Sequence, residues 1–406
     1  MSNSNNIKKL LDTMELIHYI EKFKNKIFVL VVTGEVDIRD IIPDIIILQS
    51  FNIKVVIVIG YTEKYKDIAL TDMNNKVTDI ILEISGLLKR NDLDPLPSMG
   101  TEVFARKLKD RSEYARITGF DLETIEFALK HNKIPIIAPL GIDDRGRYHK
   151  LDEKEIALEL ACKINSNTIF YVSEVDGIEI NNKKYQYLNY NQVKEILDKD
   201  NIEDKVTKEI LSFSYDVMNR GIKEFSILKG ETGNIYQEVL TYDISGTVIS
   251  KVDDEKIRRA EIEDISSIYL LIKNEVARNN LLPVNEDGIE DDIDSYIVYE
   301  IDNSIVAVGK LSYYDENIAE IAKIATFPRY QGGQRAREIC KALIEKAREE
   351  GLEGVFGLTI NPAMMKLFQN LGFEEIDRAD LPEKWKEHYD FSRPSRAFYM
   401  ELLQNG

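Results

Sequence analysis

Residues 318–336 combine an apolar strand-like run, a glycine pair and the start of a helix, an order that suits the binding of an anion. The run from Ile318 to Thr326 predicts a strand, and the next helix is expected to begin at Arg335. The loop between them exposes backbone N–H groups, and the helix adds unpaired amides and the positive end of its dipole. These features favour a pyrophosphate site around Gly332 and Gly333. A glycine pair before a helix also occurs in ordinary turns, so the loop alone leaves both interpretations open.

Glu320 is the main candidate for acid–base chemistry. It follows Ala319 in the predicted strand, where burial of a carboxylate is costly and raises its pKa. A carboxylate with a raised pKa could take a proton from an amine. Alternation along the strand places Glu320 and Lys323 on opposite faces, so these two residues need not meet. The alternative is a solvent-facing Glu320 paired with Lys323 or Lys310.

The same segment resembles the acetyl-CoA loop of the GNAT acetyltransferases, in which Arg or Gln is followed by x-x-Gly-x-Gly or x-x-Gly-x-Ala. Gln331 begins this pattern, and Gln334 stands where the family usually has a second glycine. In this fold the end of the strand also supplies backbone N–H groups for the thioester carbonyl. The resemblance implies acetyl-CoA as co-substrate and no metal. The cofactor-binding residues that it implies are Ile324, Ala325, Thr326, Gln331, Gly332, Gly333, Gln334, Arg335, Ala336 and Asn361.

A second signature lies at residues 361–373, where Asn-Pro-Ala is followed by Leu-Phe-x-x-x-Gly-Phe. It resembles the Asn-x-x-Ala…Leu-Tyr-x-x-x-Gly-Phe pattern of the same family. Phe368 replaces the Tyr that commonly acts as the general acid. A phenyl ring cannot donate a proton, so departure of the thiolate would depend on water or on another group.

The C-terminal segment 381–396 carries groups suited to holding a carboxylate. A planar guanidinium binds a carboxylate through two parallel hydrogen bonds, and Arg393 lies close in sequence to the hydroxyl of Ser395. The segment resembles the end of the bacterial N-acetylglutamate synthases, whose Arg and Ser hold the substrate carboxylates. Lys384 replaces an Arg of that pattern, and Val284 stands where those synthases commonly have Arg, so the acceptor amino acid stays open. The acceptor-binding residues that the resemblance implies are Lys323, Lys384, Arg393 and Ser395.

The elements that would position these residues differ between the two halves of the chain. In the first half, Val- and Ile-rich runs at 27–32, 55–59, 134–138, 168–172 and 225–228 alternate with helical stretches at 122–131 and 153–163. Fully apolar strands separated by helices predict a doubly wound α/β domain with a largely parallel sheet. The second half has α+β order. We therefore expect two domains, 1–252 and 253–406.

The first half resembles the amino-acid-kinase fold of acetylglutamate kinase, which is also the N-terminal domain of bacterial N-acetylglutamate synthases. The resemblance rests on residues 134–146 and 168–177. A kinase of this fold has a Lys after its first strand, whereas here no Lys occurs between that strand and Lys54. Without that cation, the charge on a transferring phosphoryl group is uncompensated, so we expect no kinase activity.

In arginine-responsive relatives this domain binds arginine near an N-terminal helix Tyr and a late Glu that is followed by a glycine-containing turn. The resemblance implies Tyr19, Glu238 and Gly246 as effector-binding residues. Ser226 stands where a His is common. The alternative is a scaffold that binds no effector.

Composition excludes several classes of protein. The formal charge of −18 repels nucleic acid and anionic membranes, and no apolar run reaches 18 residues. The two Cys and four His lack metal-ligand spacing, and the polar N-terminus lacks the apolar segment of a signal peptide. We therefore expect a protein of the reducing cytoplasm. An amphipathic pattern at 7–23 predicts a helix that packs on its own domain or joins subunits.

Taken together, these resemblances imply an acetyl-CoA-dependent amino-acid N-acetyltransferase, with L-glutamate as the expected acceptor. Its partners would be small molecules, with arginine as a candidate effector, and the chain would assemble as a homo-oligomer. Two alternatives stay open at this stage. One is a catalytically weak sensor of arginine or CoA, and the other is a genuine amino-acid kinase.

Overall fold

A computed structural model describes residues 16–17, 19–60, 70–107, 114–199, 202–241, 244–251, 255–301, 304–314, 317–331, 334–387 and 389–402. The chain divides into two compact units, Met1–Lys251 and Val252–Gly406. The division lies one residue from the expected one.

The first unit is built on an eight-stranded sheet with the strand order β12-β14-β13-β9-β1-β2-β6-β3. All neighbours in this sheet are parallel except β13 and β14, which confirms the expected doubly wound α/β architecture. The strands described in this unit are β1 Ile27–Val32, β2 Lys54–Ile59, β3 Asp94–Ser98, β4 Val103–Arg106, β5 Arg116–Phe120, β6 Lys133–Ile137, β7 Leu140–Ile142, β8 Tyr148–Lys150, β9 Thr168–Ser173, β10 Ile178–Ile180, β11 Lys183–Tyr185, β12 Tyr187–Asn189, β13 Glu224–Lys229 and β14 Thr247–Ser250. Of these, β5-β4-β7-β8 form a separate four-stranded sheet, and β10 and β11 form a two-stranded one.

Four helices of this unit begin at aspartates that cap their free amides. Asp37, Asp121, Asp152 and Asp204 each accept a hydrogen bond from the first turn of the following helix. Such a cap stabilises a helix by about 1 kcal/mol. The helices are α1 Ile38–Ser50, α2 Leu70–Arg90, α3 Leu122–Lys130, α4 Glu153–Lys163, α5 Tyr190–Lys199, α6 Lys205–Asn219 and α7 Asn234–Leu240.

The N-terminal helix expected at 7–23 is described only in part, because residues 7–15 and 18 lie outside the described residues. Residues 19–23 are helical, and the ring of Tyr19 stacks on that of Phe23 at 6.0 Å. Phe23 in turn meets Phe28 of β1 edge to face at 5.4 Å. This part of the helix therefore packs on its own domain.

The second unit is a seven-stranded sheet with the strand order β15-β16-β17-β18-β19-β21-β20. Its neighbours are antiparallel except for the central pair, β18 and β19, which is parallel. This is the α+β architecture that the sequence predicts. Its strands are β15 Glu255–Arg259, β16 Tyr296–Ile301, β17 Ser304–Tyr313, β18 Ile318–Thr326, β19 Gly354–Thr359, β20 Glu374–Ile376 and β21 Arg396–Glu401. Its helices are α8 Ile265–Ala277, α9 Glu286–Glu290, α10 Arg335–Glu349, α11 Pro362–Leu371 and α12 Glu383–Lys386, with 3-10 turns at Ile262–Asp264, Ile293–Ser295, Pro328–Tyr330 and Arg378–Asp380.

The central strands β18 and β19 separate soon after they meet. Their register covers only three pairs, Ile318 with Gly354, Ala319 with Val355 and Glu320 with Phe356. Beyond Glu320 the facing edges of the two strands have no ladder between them, so a cleft opens within the sheet. Backbone groups along such an edge can bind a ligand instead of a neighbouring strand.

Candidate active site

The cleft between β18 and β19 leads into a cavity of about 300 Å³. It is lined by residues of β17, the middle of β18, the end of β19 and helix α11. The end of α8 with the loop after it, and the segment from α12 to β21, complete the lining. Residues from distant parts of the sequence therefore meet at the point where the sheet opens.

Glu320 lies in the cavity wall and has the properties of a general base. Its burial raises its pKa to about 7, and this effect outweighs the hydrogen bond that its Oε2 accepts from the hydroxyl of Tyr314 at 3.1 Å. The nearby charges of Lys323 and Lys310 also lower this pKa, but by less. Part of the side chain remains accessible from the cavity. A carboxylate that titrates near neutral pH and faces a cavity can take up a proton there.

The predicted separation of Glu320 from Lys323 is wrong, because β18 contains a bulge. The register with β17 pairs Lys310 with Ala322 but Val308 with Ala325, which leaves two residues of β18 opposite Gly309. Lys323 takes a left-handed φ of 53° at this point, so alternation is interrupted and its side chain enters the same cavity as Glu320. A Cβ on Gly309 would collide with neighbouring side chains, which explains the glycine at the bulge.

Lys323 is held in the cavity wall by the backbone. Its Nζ donates to the carbonyl oxygen of Leu282 at 2.7 Å. Burial lowers its pKa to about 8, against the effect of Glu320, and the charges of Lys310 and Arg393 lower it further. Lys323, one of the acceptor-binding candidates, therefore lines the same cavity as the candidate base Glu320.

Arg393 and Ser395 both line the cavity, on the side opposite β18. Arg393 is anchored by one nitrogen, because its Nη2 donates to the carbonyl oxygens of Asn279 and Asn280 at 2.9 and 2.8 Å. No hydrogen bond from its Nε or Nη1 connects to the described part of the chain, so these donors can hold a ligand carboxylate. The hydroxyl of Ser395 shares a hydrogen bond with that of Tyr389.

Two positions of the expected carboxylate grip lie elsewhere. Lys384 is exposed on α12 and does not line the cavity, whereas the next residue, Trp385, does. Adjacent residues of a helix point about 100° apart, which explains why only one of them faces the cavity. Val284 does not line the cavity either. The structure therefore brings together Lys323, Arg393 and Ser395 without Lys384.

The expected pyrophosphate loop is described at both ends, while Gly332 and Gly333 lie outside the described residues. Gln334 has a φ of 64°, so it adopts the left-handed conformation that a glycine at this position would take easily. It caps α10, whose first amides are free of helical partners, and Ala336 lies in that first turn. Gln331 folds back, and its Nε2 donates to the carbonyl oxygen of Thr326 at 3.0 Å. The backbone here fits an anionic cofactor.

The remaining cofactor candidates contribute in different ways. Ile324 and Asn361 line the cavity from opposite edges of the cleft, whereas Ala325 and Thr326 do not line it. The hydroxyl oxygen of Thr326 is buried and has no hydrogen-bond partner in the described part of the chain. The side chain of Arg335 is 3% exposed and turns towards Glu255, with 3.4 Å between Nη2 and Oε1. Arg335 can therefore offer an anion its backbone amide rather than its charge.

Phe368 contributes only an apolar surface to the cavity. Its ring packs against Phe373 and Phe398, with centroid distances of 5.0 and 5.7 Å. Hydroxyl groups reach the cavity from Tyr314 and Tyr389 instead. The sequence did not single these two out, although the strand register that pairs Ser312 with Glu320 would have placed Tyr314 near the base.

In the first unit, the structure brings Glu238 and the turn containing Gly246 together. The carboxylate of Glu238 is fully buried, and it accepts hydrogen bonds from the Ser226 hydroxyl at 3.5 Å and the Ser245 amide at 3.2 Å. A Cβ on Gly246 would collide with the carbonyl oxygen of Ile227. Tyr19 is buried in the N-terminal helix, where its ring stacks on that of Phe23.

Within the described ranges, no group of three or more His, Cys, Asp or Glu side chains could hold a metal ion. Among the helices of the same ranges, none has the length and apolar character needed to cross a membrane.

Comparison with protein families matches each unit separately. Residues 29–225 match the amino acid kinase family, and residues 262–373 match the acetyltransferase (GNAT) family. The chain joins an amino-acid-kinase domain to a GNAT acetyltransferase domain. The described kinase-domain residues 29–60 contain no Lys between β1 and Lys54, as noted from the sequence, and residues 61–69 after β2 lie outside the described residues.

Proteins named amino-acid acetyltransferase match over almost the whole chain. The amino-acid acetyltransferase of Pasteurella multocida is 28% identical, and the match covers 96% of this chain and 98% of the relative. The amino-acid acetyltransferase of Photorhabdus laumondii is 26% identical, with 95% of each covered. The structure of N-acetylglutamate synthase from Neisseria gonorrhoeae, complexed with coenzyme A and L-arginine, has a TM-score of 0.64 at 21% identity, covering 96% of this chain and 98% of that one. Both domains of this chain therefore share their fold with that synthase, over 96% of the chain.

Proposed function

We propose that this protein transfers the acetyl group of acetyl-CoA to the α-amino group of an amino acid, with L-glutamate as the acceptor. The observation that carries the proposal is the cavity in the GNAT domain where Glu320, with a pKa near 7, faces Lys323, Arg393 and Ser395. An ionisable base and a carboxylate-binding surface in one cavity suit an amino-acid acceptor. The relatives named amino-acid acetyltransferase support the same activity.

Acceptor activation would be the task of Glu320. An amino acid enters as an ammonium ion, and its amine can attack a thioester only after losing a proton. Glu320 would accept that proton, directly or through a water molecule, while its Tyr314 hydrogen bond fixes the carboxylate. The nitrogen would then bond to the acetyl carbon and the carbon–sulfur bond would break. The second proton that the nitrogen loses would pass to the thiolate through water or a cavity hydroxyl.

Acceptor binding would use the two walls of the cleft. Arg393 would grip one carboxylate through Nε and Nη1, since Nη2 is held by backbone carbonyls. Lys323 and the Ser395 hydroxyl would supply further donors. This arrangement leaves the amino group directed at Glu320.

Cofactor binding would use the loop before α10 and the edges of the cleft. The first amides of α10, together with the positive dipole end, would hold the pyrophosphate. Backbone N–H groups on the open edge of β18 near Ile324 would stabilise charge on the thioester oxygen. Acetyl-CoA itself would supply the acetyl group as an activated thioester.

The test is release of free thiol from acetyl-CoA in the presence of single amino acids, with the acetylated product identified by mass spectrometry. Thiol release with glutamate is expected for the full-length protein. A protein that binds acetyl-CoA and acetylates no amino acid would refute the proposal. That outcome would favour the alternative of a CoA or arginine sensor. A sensor would need neither the base Glu320 nor the guanidinium of Arg393 in this cavity.

We also propose that the amino-acid-kinase domain binds L-arginine through Glu238. Its buried carboxylate lies beside the turn of Ser245 and Gly246, and the guanidinium of arginine would bind this carboxylate through charged hydrogen bonds. L-Arginine should raise the melting temperature of the wild type and leave Glu238→Gln unchanged. L-Lysine serves as the control ligand, because it lacks the planar fork.

Homo-oligomeric assembly and a cytoplasmic location belong to the same proposal. The N-terminal helix carries an amphipathic pattern that could join subunits as well as pack on its own domain. Light scattering after size-exclusion chromatography tests the assembly, and cell fractionation tests the location. A monomer at micromolar concentration would contradict the first of these.

A further inference from the structure

Lys310 is a cation of the active-site cavity that neither the proposed reaction nor the family patterns use. It lies on β17, opposite Ala322 of β18, and two residues away Ser312 lies opposite Glu320. Residues two apart on a strand share a face, so Lys310, Ser312 and Glu320 all lie on the cavity side of the sheet. Lys310 therefore lines the same side of the cavity as the candidate base, Glu320.

The position of this ammonium group is fixed by its neighbours. Its Nζ donates to Oδ2 of Asp292 at 2.7 Å, and it lies 5.2 Å from the centroid of the Tyr296 ring. The Lys310 side chain is 15% exposed, whereas that of Asp292 is 56% exposed. An ammonium has three donors, and Asp292 occupies one of them. Lys310 is thus oriented by partners at the rim and keeps donors for a ligand in the cavity.

The charges of the cavity favour an acceptor with two carboxylates. Three cations line it, Lys310, Lys323 and Arg393, against the two carboxylates Glu275 and Glu320. Glu275 is already engaged, because it accepts from Asn280 Nδ2 at 2.7 Å. Among these lining residues the cations exceed the carboxylates by one, and Asp292 compensates Lys310 only from the exposed rim. An acceptor with one ammonium and two carboxylates carries a net charge of −1 and balances this excess, whereas its amide, with no net charge, does not.

The two walls also separate the cations into two places. Arg393 comes from the segment before β21, whereas Lys310 and Lys323 come from β17 and β18. Val284 stands where the resembling synthases commonly have an Arg. Its side chain is apolar and does not line the cavity. A side-chain carboxylate therefore needs another cation, and β17 supplies one.

We propose that Lys310 binds the side-chain carboxylate of the acceptor and so makes the enzyme select a dicarboxylic amino acid over its amide. This inference rests on the proposed function and goes beyond it, because it assigns the choice between glutamate and glutamine to one residue on β17.

The experiment compares kcat/KM for glutamate and glutamine in the wild type and in K310M. Both acceptors use the same base and the same cofactor site, so their ratio cancels any effect of the substitution on Glu320 or on folding. Loss of one charged hydrogen-bonding partner should lower the glutamate-to-glutamine ratio by about 10- to 100-fold. D292N, which keeps the cation and removes its rim partner, should retain most of the wild-type preference.

Two further variants complete the design. K310R, which keeps the charge, should preserve a preference for glutamate. K341M makes the same change as K310M at a helix lysine paired with Glu338, and the ratio should not move. If K310M turns over neither acceptor, calorimetry of N-acetylglutamate and N-acetylglutamine binding measures the same preference without turnover.

The outcomes separate this inference from the proposed function. A wild type that acetylates neither amino acid refutes the function. Two other outcomes overturn the role of Lys310 and leave the acetyltransferase function intact. One is a wild type that prefers glutamine. The other is a K310M variant that keeps the preference for glutamate in kcat/KM or in product binding.

Discussion

Replacing Glu320 by Gln should abolish most of the activity and at the same time stabilise the protein above neutral pH. Burial raises the pKa of Glu320 from 4.5 to about 7. The folded state therefore prefers the protonated carboxyl. Its stability is full below pH 4.5, declines as the pH rises from 4.5 to about 7, and is constant above that range. The difference amounts to at most about 3 kcal/mol at pH 8, where the wild type carries a charge in the cavity wall. Gln has the same size and no charge, so the variant avoids this cost.

The assay has a kinetic and a thermal part. A general base contributes about 10²- to 10⁴-fold to the rate, and E320Q should lose that factor together with the acidic limb of the pH profile near pH 7. Calorimetry of the full chain at pH 8 should show the melting temperature of the GNAT domain raised by up to about 12 °C, since the upper limit of about 3 kcal/mol shifts a domain of this size by about 6 to 12 °C. At pH 4.5 the two proteins should melt alike.

Glu300 provides a matched control for this experiment. It lies on β16 of the same sheet and is nearly buried, but its Oε2 accepts from Arg258 Nε at 2.7 Å. E300Q should keep the activity and lower the melting temperature, because it removes one partner of a charge pair. The reasoning about Glu320 fails if E320Q keeps its acidic limb, or if it melts below the wild type at pH 8.

Three further predictions concern neighbouring groups. Y314F removes the hydrogen bond that lowers the pKa of Glu320, so the acidic limb of the kcat/KM profile should move to higher pH. The rate on the alkaline side should change little. An unmoved limb would argue against this contact. R393M should raise the acceptor KM by about 10- to 100-fold and leave the acetyl-CoA KM unchanged, which steady-state kinetics with each substrate varied will check. Q334G should stabilise the GNAT domain by about 1 kcal/mol in thermal unfolding, because glycine takes the left-handed φ of 64° without strain, whereas Q334V should destabilise it.

The fold could be predicted from the sequence to a large extent because its signals are local. The apolar runs of β1 and β9 are too short for helices and too apolar for exposed strands, so they predict a buried parallel sheet. The bounds Ile318–Thr326 and Arg335–Glu349 were likewise predictable from the apolar run and from the residues around the loop. Such features depend on periodicity and turn chemistry within one segment.

The composition of the cavity was less predictable because it depends on register. The bulge at Lys323 interrupts the alternation of β18, and nothing within Ile318–Thr326 marks it. Its cause is partly Gly309 on the neighbouring strand, where tight packing excludes a side chain. Lys384 was grouped with the site residues by its sequence neighbourhood, whereas in the structure it is exposed on α12 and does not line the cavity. Pairing between strands and helix phase both require the tertiary structure.

The short ladder between β18 and β19 makes the domain's cohesion depend on its ligand. Four strands lie on one side of this seam and three on the other, and three residue pairs join them. A molecule bound in the cleft contacts both the four-strand part and the three-strand part of the sheet. It therefore strengthens a connection that the protein itself makes through only three residue pairs. At a hundred times its dissociation constant it adds about 2.7 kcal/mol to the stability. The substrate of this domain thereby also acts as part of its framework, and amide hydrogen exchange in the three-strand part should slow when acetyl-CoA is present.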